Sequence, residues 1–385
     1  MTRRVLVVRL DAVGDVLLAG PAVRAVAADA EVSVLCGPAG APAARLLPGV
    51  RRVLEWASPW IVDPAPPVTR PDLDGIVATL AGHAFDAAVV LTSFHQSPLP
   101  TALLLRLAGV GRITGASADY PGALLDVRLR PGDGPGDDLP EDIPEPDRAL
   151  AIAAAAGFRL PAGDDGRLAV RRPPGVRALL GPLHRRPYVV LHPGATVSAR
   201  RWPVELHRRA ARLLTDAGTP VVVTGGPGER DLTAAVAAGH RHGRCLDLGG
   251  RTDLAQLAGV LASASALVAG NTGAAHLAAA VGTPVVSLFA PVVPPVRWRP
   301  YRVPHVLLGD QDAPCRGSRA RVCPVPGHPC LSRVAPEEVV AALNRLVPAA
   351  LPTPPGPTPP GPAPAAPRVP VPAGRSAGDS KEGSP

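Results

Sequence analysis

The chain has 385 residues, 46% hydrophobic and only 3% aromatic, which is enough for two cores built from Ala, Val and Leu. Its formal charge of +8 rests almost wholly on arginine, Lys381 being the only lysine, and the scarcity of stacking aromatics argues against a nucleic-acid partner. Five cysteines, an odd count, argue against a secreted disulfide scaffold, and no uninterrupted apolar stretch of about 20 residues offers a membrane-spanning helix.

The first predicted strand is residues 4–10, an apolar run of the buried type, followed after a turn at 11–15 by a helix over 16–28. Strands are expected at 31–36, 86–92, 112–115 and 124–129, with a helix at 99–107. Strand and helix alternating at this spacing is the signature of a parallel sheet covered on both faces. Residues 130–146, rich in Gly, Pro and Asp, read as a loop. A helix over 149–157 ends at its glycine, and the Pro- and Arg-rich stretch 171–187 reads as a linker.

The pattern then restarts. Strands are expected at 188–192, 220–224, 245–248, 266–269 and 284–289. Between them lie helices at 203–217, 229–238, 253–263 and 273–281, the third with Thr252 as N-cap. A last amphipathic helix spans 336–346, with proline at its start and Glu337 and Glu338 in its first turn. From residue 348 the chain is Pro, Ala and Gly with few apolar anchors, and disorder is expected. The expected division is therefore 1–175, 186–333, a helix at 334–347, and a tail at 348–385.

Four motifs sit where a strand ends and a helix begins, the edge at which parallel α/β sheets bind ligands. The first is Arg9-Leu10-Asp11-Ala12-Val13-Gly14-Asp15-Val16, in which Asp15 falls in the first helical turn. A lone Asp there is usually only an acid favourable to the helix dipole. The second is His192-Pro193-Gly194-Ala195-Thr196, followed by Arg200-Arg201-Trp202-Pro203. Two arginines at a helix start are misplaced for the dipole unless an anion lies between them, and a diphosphate is the natural candidate. The third, Thr224-Gly225-Gly226-Pro227-Gly228-Glu229, brings backbone close to a ligand and offers Glu229 to ribose hydroxyls. It lacks the G-x-G-x-x-G dinucleotide fingerprint. The fourth, Asn271-Thr272-Gly273-Ala274-Ala275-His276, offers free N–H groups as a second anion site. Each is weak alone, since a Gly-rich turn after a strand is usually only a turn. Three at one sheet edge in the second half carry more weight.

Together these motifs resemble glycosyltransferase family 9, the ADP-heptose:lipopolysaccharide heptosyltransferases and their relatives. The likeness runs from about residue 4 to about residue 346. It is most specific at Arg201-Trp202-Pro203 and in the run from Thr272 to Pro284. The resemblance implies an α/β GT-B fold of two Rossmann-like domains around a central cleft. It implies inverting transfer of a sugar from a nucleotide-sugar donor to an acceptor hydroxyl, without metal or other cofactor. It also implies that Asp15 is the base and that Thr196 and Arg200 hold the diphosphate. Family members usually carry Lys where Arg200 stands, which keeps the charge and changes a point donor into a fork. They carry Asp where Asn271 stands, which leaves the donor sugar open.

The expected site is therefore Asp15 on the acceptor side, and Thr196, Arg200, Arg201, Gly225, Gly226, Glu229, Asn271, Thr272, Gly273 and Ala274 on the donor side. The acceptor is a glycan, glycolipid or other hydroxyl compound. A cytoplasmic monomer is expected, with peripheral contact at the inner face of the membrane left open. A nucleotide-sugar epimerase and a non-catalytic nucleotide-sugar-binding protein are the rival readings. Cys315, Cys323, Cys330 and His328 form a further cluster, for which packed thiols, a structural zinc site and a redox disulfide are the three readings.

Overall fold

A computed structural model describes residues 2–93, 95–240 and 243–348. Almost all of the tail expected to be disordered lies outside them. Among the described residues no helix is long and apolar enough to cross a membrane.

Six strands form the first sheet: β1 (Arg4–Val8), β2 (Glu31–Cys36), β3 (Val50–Glu55), β4 (Ala87–Val90), β5 (Arg112–Ala116) and β6 (Val127–Leu129), in the order β3-β2-β1-β4-β5-β6. Six more form the second: β7 (Val189–His192), β8 (Val221–Val223), β9 (Cys245–Asp247), β10 (Ala266–Gly270), β11 (Val285–Leu288) and β12 (His305–Leu308), in the order β12-β11-β10-β7-β8-β9. Every pairing is parallel. Counted from its own first strand, each sheet has the doubly wound order 3-2-1-4-5-6. Central strands such as Val-Val-Leu-His in β7 are continuous apolar runs because helices cover both faces.

Three expectations need correction. The helix expected over 16–28 is two, Val13–Leu18 and Gly20–Ala27. Pro21 cannot donate the N–H that would carry one helix through, but it fits the first turn of a new one. The helix expected from residue 149 begins at Glu145, inside the stretch read as loop, with Pro146 again in its first turn. The cap of the helix Leu254–Ala262 is Asp253 rather than Thr252. Its carboxylate accepts the Gln256 N–H at 2.7 Å, and the Gln256 side chain accepts the Asp253 N–H at 3.0 Å, a reciprocal box that Thr252 is one residue too early to make. The stretch 171–187 holds a short helix, Arg177–Leu180, and a 3-10 turn, Gly181–Arg185.

Trp202 explains why the second motif keeps its shape. It is buried in the core of the second sheet, donates its indole N–H to the Val334 carbonyl at 3.2 Å, and meets His207 edge-on. The last helix, Pro336–Leu346, packs on Val204–Asp216, with Arg209 paired to Glu337 across them.

Candidate active site

In a doubly wound sheet the ligand crevice opens where the strand order reverses, between the first and fourth strands. Here that is β1/β4 in one half and β7/β10 in the other, and both reversals line one cleft. Asp15 follows β1, and Ser93 and Gln96 follow β4; Thr196 and Arg200 follow β7, and Asn271 to Ala274 follow β10. The cleft has two chambers, about 500 Å³ and about 340 Å³, which share Ala12, Gly14, Ala195, Thr196, Thr272 and Gly273. At this waist the helix starts of the two halves touch. A Cβ on Gly14 would stand 3.0 Å from the His276 ring, and one on Gly273 3.1 Å from Val13, so glycine sets the closeness of the two halves.

The larger chamber holds Asp11, Asp15, Thr196, Arg200, Asn271, Thr272, Gly273 and His276. Arg9, buried at the end of β1, organises its carboxylates. Its Nη2 donates to Asp15 Oδ1 and to Ser93 Oγ, each at 2.9 Å, and its Nε lies 2.9 Å from Asp11 Oδ2. Burial alone disfavours the Arg9 cation, but Asp11, Asp15 and Glu145 together outweigh it and raise its pKa. The two aspartates differ. Asp11 is 11% exposed and also takes a hydrogen bond from Gln96 Nε2 at 2.6 Å, and burial pushes its carboxyl upward against the pull of Arg9. Asp15 is 24% exposed and faces the chamber.

Across the chamber Arg200 ends a 3-10 turn, Ser198–Arg200. Its Nε is buried and has no hydrogen-bond partner among the described residues, and burial lowers its pKa while Asp15 opposes the shift. Arg200 lines the chamber, and a desolvated guanidinium there is suited to an anion. His276, one turn into the helix Gly273–Ala280, is pushed down to about 4 by burial and is neutral at pH 7, with Nδ1 unpaired among the described residues.

The smaller chamber gathers Thr196, Gly225, Gly226, Glu229, Thr272, Gly273 and Ala274 with Leu254 and Leu257. Glu229 accepts the Gly226 N–H at 2.8 Å. A Cβ on Gly194 would stand 2.0 Å from its carboxylate, so only glycine leaves room for that side chain. His192, beside it, is held neutral by burial and bonded to Thr224 Oγ1 at 3.0 Å.

Thus ten of the eleven expected site residues line the two chambers. Arg201 lines neither; its Nε donates to the Ala195 carbonyl at 2.7 Å and braces the loop from behind. Sequence reasoning missed Trp298, on a short helix after β11, and Arg319 and Arg321, after β12, which line the larger chamber, and Leu254 and Leu257 in the smaller. Only the last pair carried a signal, an apolar face at the start of a helix.

The cysteine cluster lies apart from both chambers. Cys315 and Cys330 are buried side by side, and burial followed by its neighbour Cys315 pushes the Cys330 thiol up to about 12. His328 Nε2 faces the Ala199 carbonyl at 3.0 Å. Among the described residues no group of three or more His, Cys, Asp or Glu is set to hold a metal.

Two parallel, doubly wound six-stranded sheets that line one cleft define a fold of the GT-B type. Residues 144–327 match the model of glycosyltransferase family 9 (heptosyltransferase). Over 138 residues it is 36% identical to lipopolysaccharide heptosyltransferase 1 of Pseudomonas aeruginosa, a match covering 36% of this chain and 38% of that protein. The matched stretch spans less than half the length of such curated relatives. The fold is shared more widely. E. coli ADP-heptose LPS heptosyltransferase II superposes with a TM-score of 0.67 at 21% identity, over 89% of this chain and 98% of that one. A family 9 glycosyl transferase from Veillonella parvula gives 0.69 at 17%, over 90% and 97%.

Proposed function

We propose that this protein transfers a heptose or related sugar from an ADP-linked donor to a hydroxyl of a glycan or glycolipid, by single displacement with inversion and without a metal. The observation that carries the reading is the pairing across one cleft of Asp15 with the unpartnered, buried Nε of Arg200. The ADP-heptose named for the E. coli relative supplies the donor class.

In this reading the nucleoside occupies the smaller chamber, its base against Leu254 and Leu257 and its ribose hydroxyls on Glu229. The diphosphate lies at the waist. There Thr196, Arg200 and the N–H groups of Thr272, Gly273 and Ala274 face the charge that grows on the leaving group. Gly225 and Gly226 admit the nucleotide, Asn271 faces the donor sugar, and Arg201 stiffens the loop that carries Thr196. The acceptor enters the larger chamber, where Asp15 takes its hydroxyl proton as the oxygen attacks the anomeric carbon. The epimerase rival has no acceptor and would leave Asp15 without a hydroxyl to deprotonate. A monomer working at the inner face of the membrane fits an acceptor anchored in lipid.

The test compares ADP with adenosine by calorimetry. ADP should bind the parent far more tightly, and Arg200→Ala should erase most of that advantage while leaving adenosine nearly unchanged. Equal weakening of both ligands would assign Arg200 a purely structural role. ADP-heptose with heptose-deficient lipopolysaccharide should release ADP and give a heptosylated product, whereas release without product would count against transfer.

A further inference from the structure

We infer that Trp298 is a positioning residue for Asp15, held in place by a buried ion network that ties the two halves together; this rests on the reading of Asp15 as the base. Two N–H groups meet at one oxygen of that carboxylate. Arg9 Nη2, from the first half, donates to Oδ1 at 2.9 Å, and Trp298 Nε1, from the second half, donates to the same atom at 3.3 Å. No described residue donates to Oδ2. The carboxylate is thus pinned by one oxygen, which leaves the other for a hydroxyl in the chamber that Asp15 lines. A base fixed in this way loses little orientational freedom when the reaction begins.

The indole is held from behind. Trp298 ends the helix Pro295–Trp298, and the adjacent Arg297 guanidinium lies over its ring at 5.4 Å. Arg297 is buried and reaches into the first half. Its Nε and Nη2 lie 2.9 and 2.7 Å from Glu145 Oε1, and its Nη1 lies 2.5 Å from Glu141. The other oxygen of Glu145 stands 3.6 Å from Arg9 Nη1. Glu145 therefore sits between two arginines, one from each half, and both lead to Asp15: Arg9 directly, Arg297 through its neighbour Trp298. Three residues on, Tyr301 donates to Asp147 at 2.5 Å, a further tie between the same two segments. Buried ions of this kind demand partners in fixed geometry, and so the network favours the one relative placement of the halves in which all are paired. It follows that the base is fully positioned only when the halves stand as they do here.

Trp298→Phe keeps the ring and removes the N–H. With ADP-heptose as donor and heptose-deficient lipopolysaccharide as acceptor, it should lower kcat about tenfold while KM for the donor and affinity for ADP stay within about twofold. Introduced into Asp15→Asn, it should cost nothing more, because its effect runs through that carboxylate. Glu145→Gln, which severs the ion pair behind the indole, should show the same Asp15-dependent loss of kcat. An unchanged kcat in Trp298→Phe overturns the proposal. So does an equal loss with and without Asp15, or a matching loss of ADP affinity, each the mark of a merely structural residue. Asp15→Asn alone is the arm that tests the base: if it transfers as well as the parent, that reading fails first and is seen to fail on its own.

Discussion

Asn271 shows how one atom changes what a motif means. Its carboxamide is almost fully buried and clasps the backbone of a single residue: Nδ2 donates to the Ala290 carbonyl and Oδ1 accepts the Ala290 N–H, each at 3.3 Å. A carboxylate can copy only the second bond and would set a negative oxygen against the Ala290 carbonyl. The asymmetry of buried polar groups makes that expensive, about 1–3 kcal/mol for an unsatisfied partner. Asn271→Asp should therefore lower the melting temperature at pH 7. The gap from the parent should narrow as pH falls, since a protonated carboxyl regains a donor. Identical melting curves at pH 7 would show that the clasp contributes nothing. The same substitution tests donor choice, because Asn271 also lines the chamber where the sugar is proposed to lie.

At the scale of elements, the strand-to-helix junctions were legible in the sequence and contacts between distant elements were not. Asp15, Thr196, Glu229 and Thr272 announce themselves because their signals are local: an apolar run, a glycine, then a helix start. Trp298 and Glu145 carry no such signal, since their partners lie 283 and 152 residues away in the chain. The edge strand β3, read as Val-Arg-Arg-Val-Leu-Glu, escaped because its exposed arginines break the buried pattern. Caps lie between these extremes. Thr252 and Asp253 are both good N-cap residues, and only geometry chooses. Asp253→Ala should lose about 1 kcal/mol of stability, read as a lower urea midpoint, while Thr252→Ala should stay near the parent. The reverse ranking would return the cap to Thr252.

Over the whole molecule, two copies of one topology face each other, and the second, which lines the proposed donor side, carries three buried histidines kept neutral. His207, edge-on to Trp202, is pushed down to about 3 and His276 to about 4, each by burial first; His192 is lowered for the same reason. In the unfolded chain all three regain the ordinary value near 6.5. Between that value and their folded ones the unfolded state binds more protons, so stability is fully present above about pH 6.5 and is lost as pH falls. At pH 5 His207 and His276 each remove roughly 2 kcal/mol, the differential binding over about 1.5 pH units. Asp11 acts in the opposite sense, because its raised folded pKa lets the native state take up a proton first, but it is one group against three. The melting temperature should thus fall steadily between pH 7 and pH 5. His207→Phe, which keeps the edge contact with Trp202 and cannot titrate, should flatten that slope. A melting temperature that holds level or rises over this range would mean that these rings are already charged in the folded protein, and their apolar surroundings would then need another explanation.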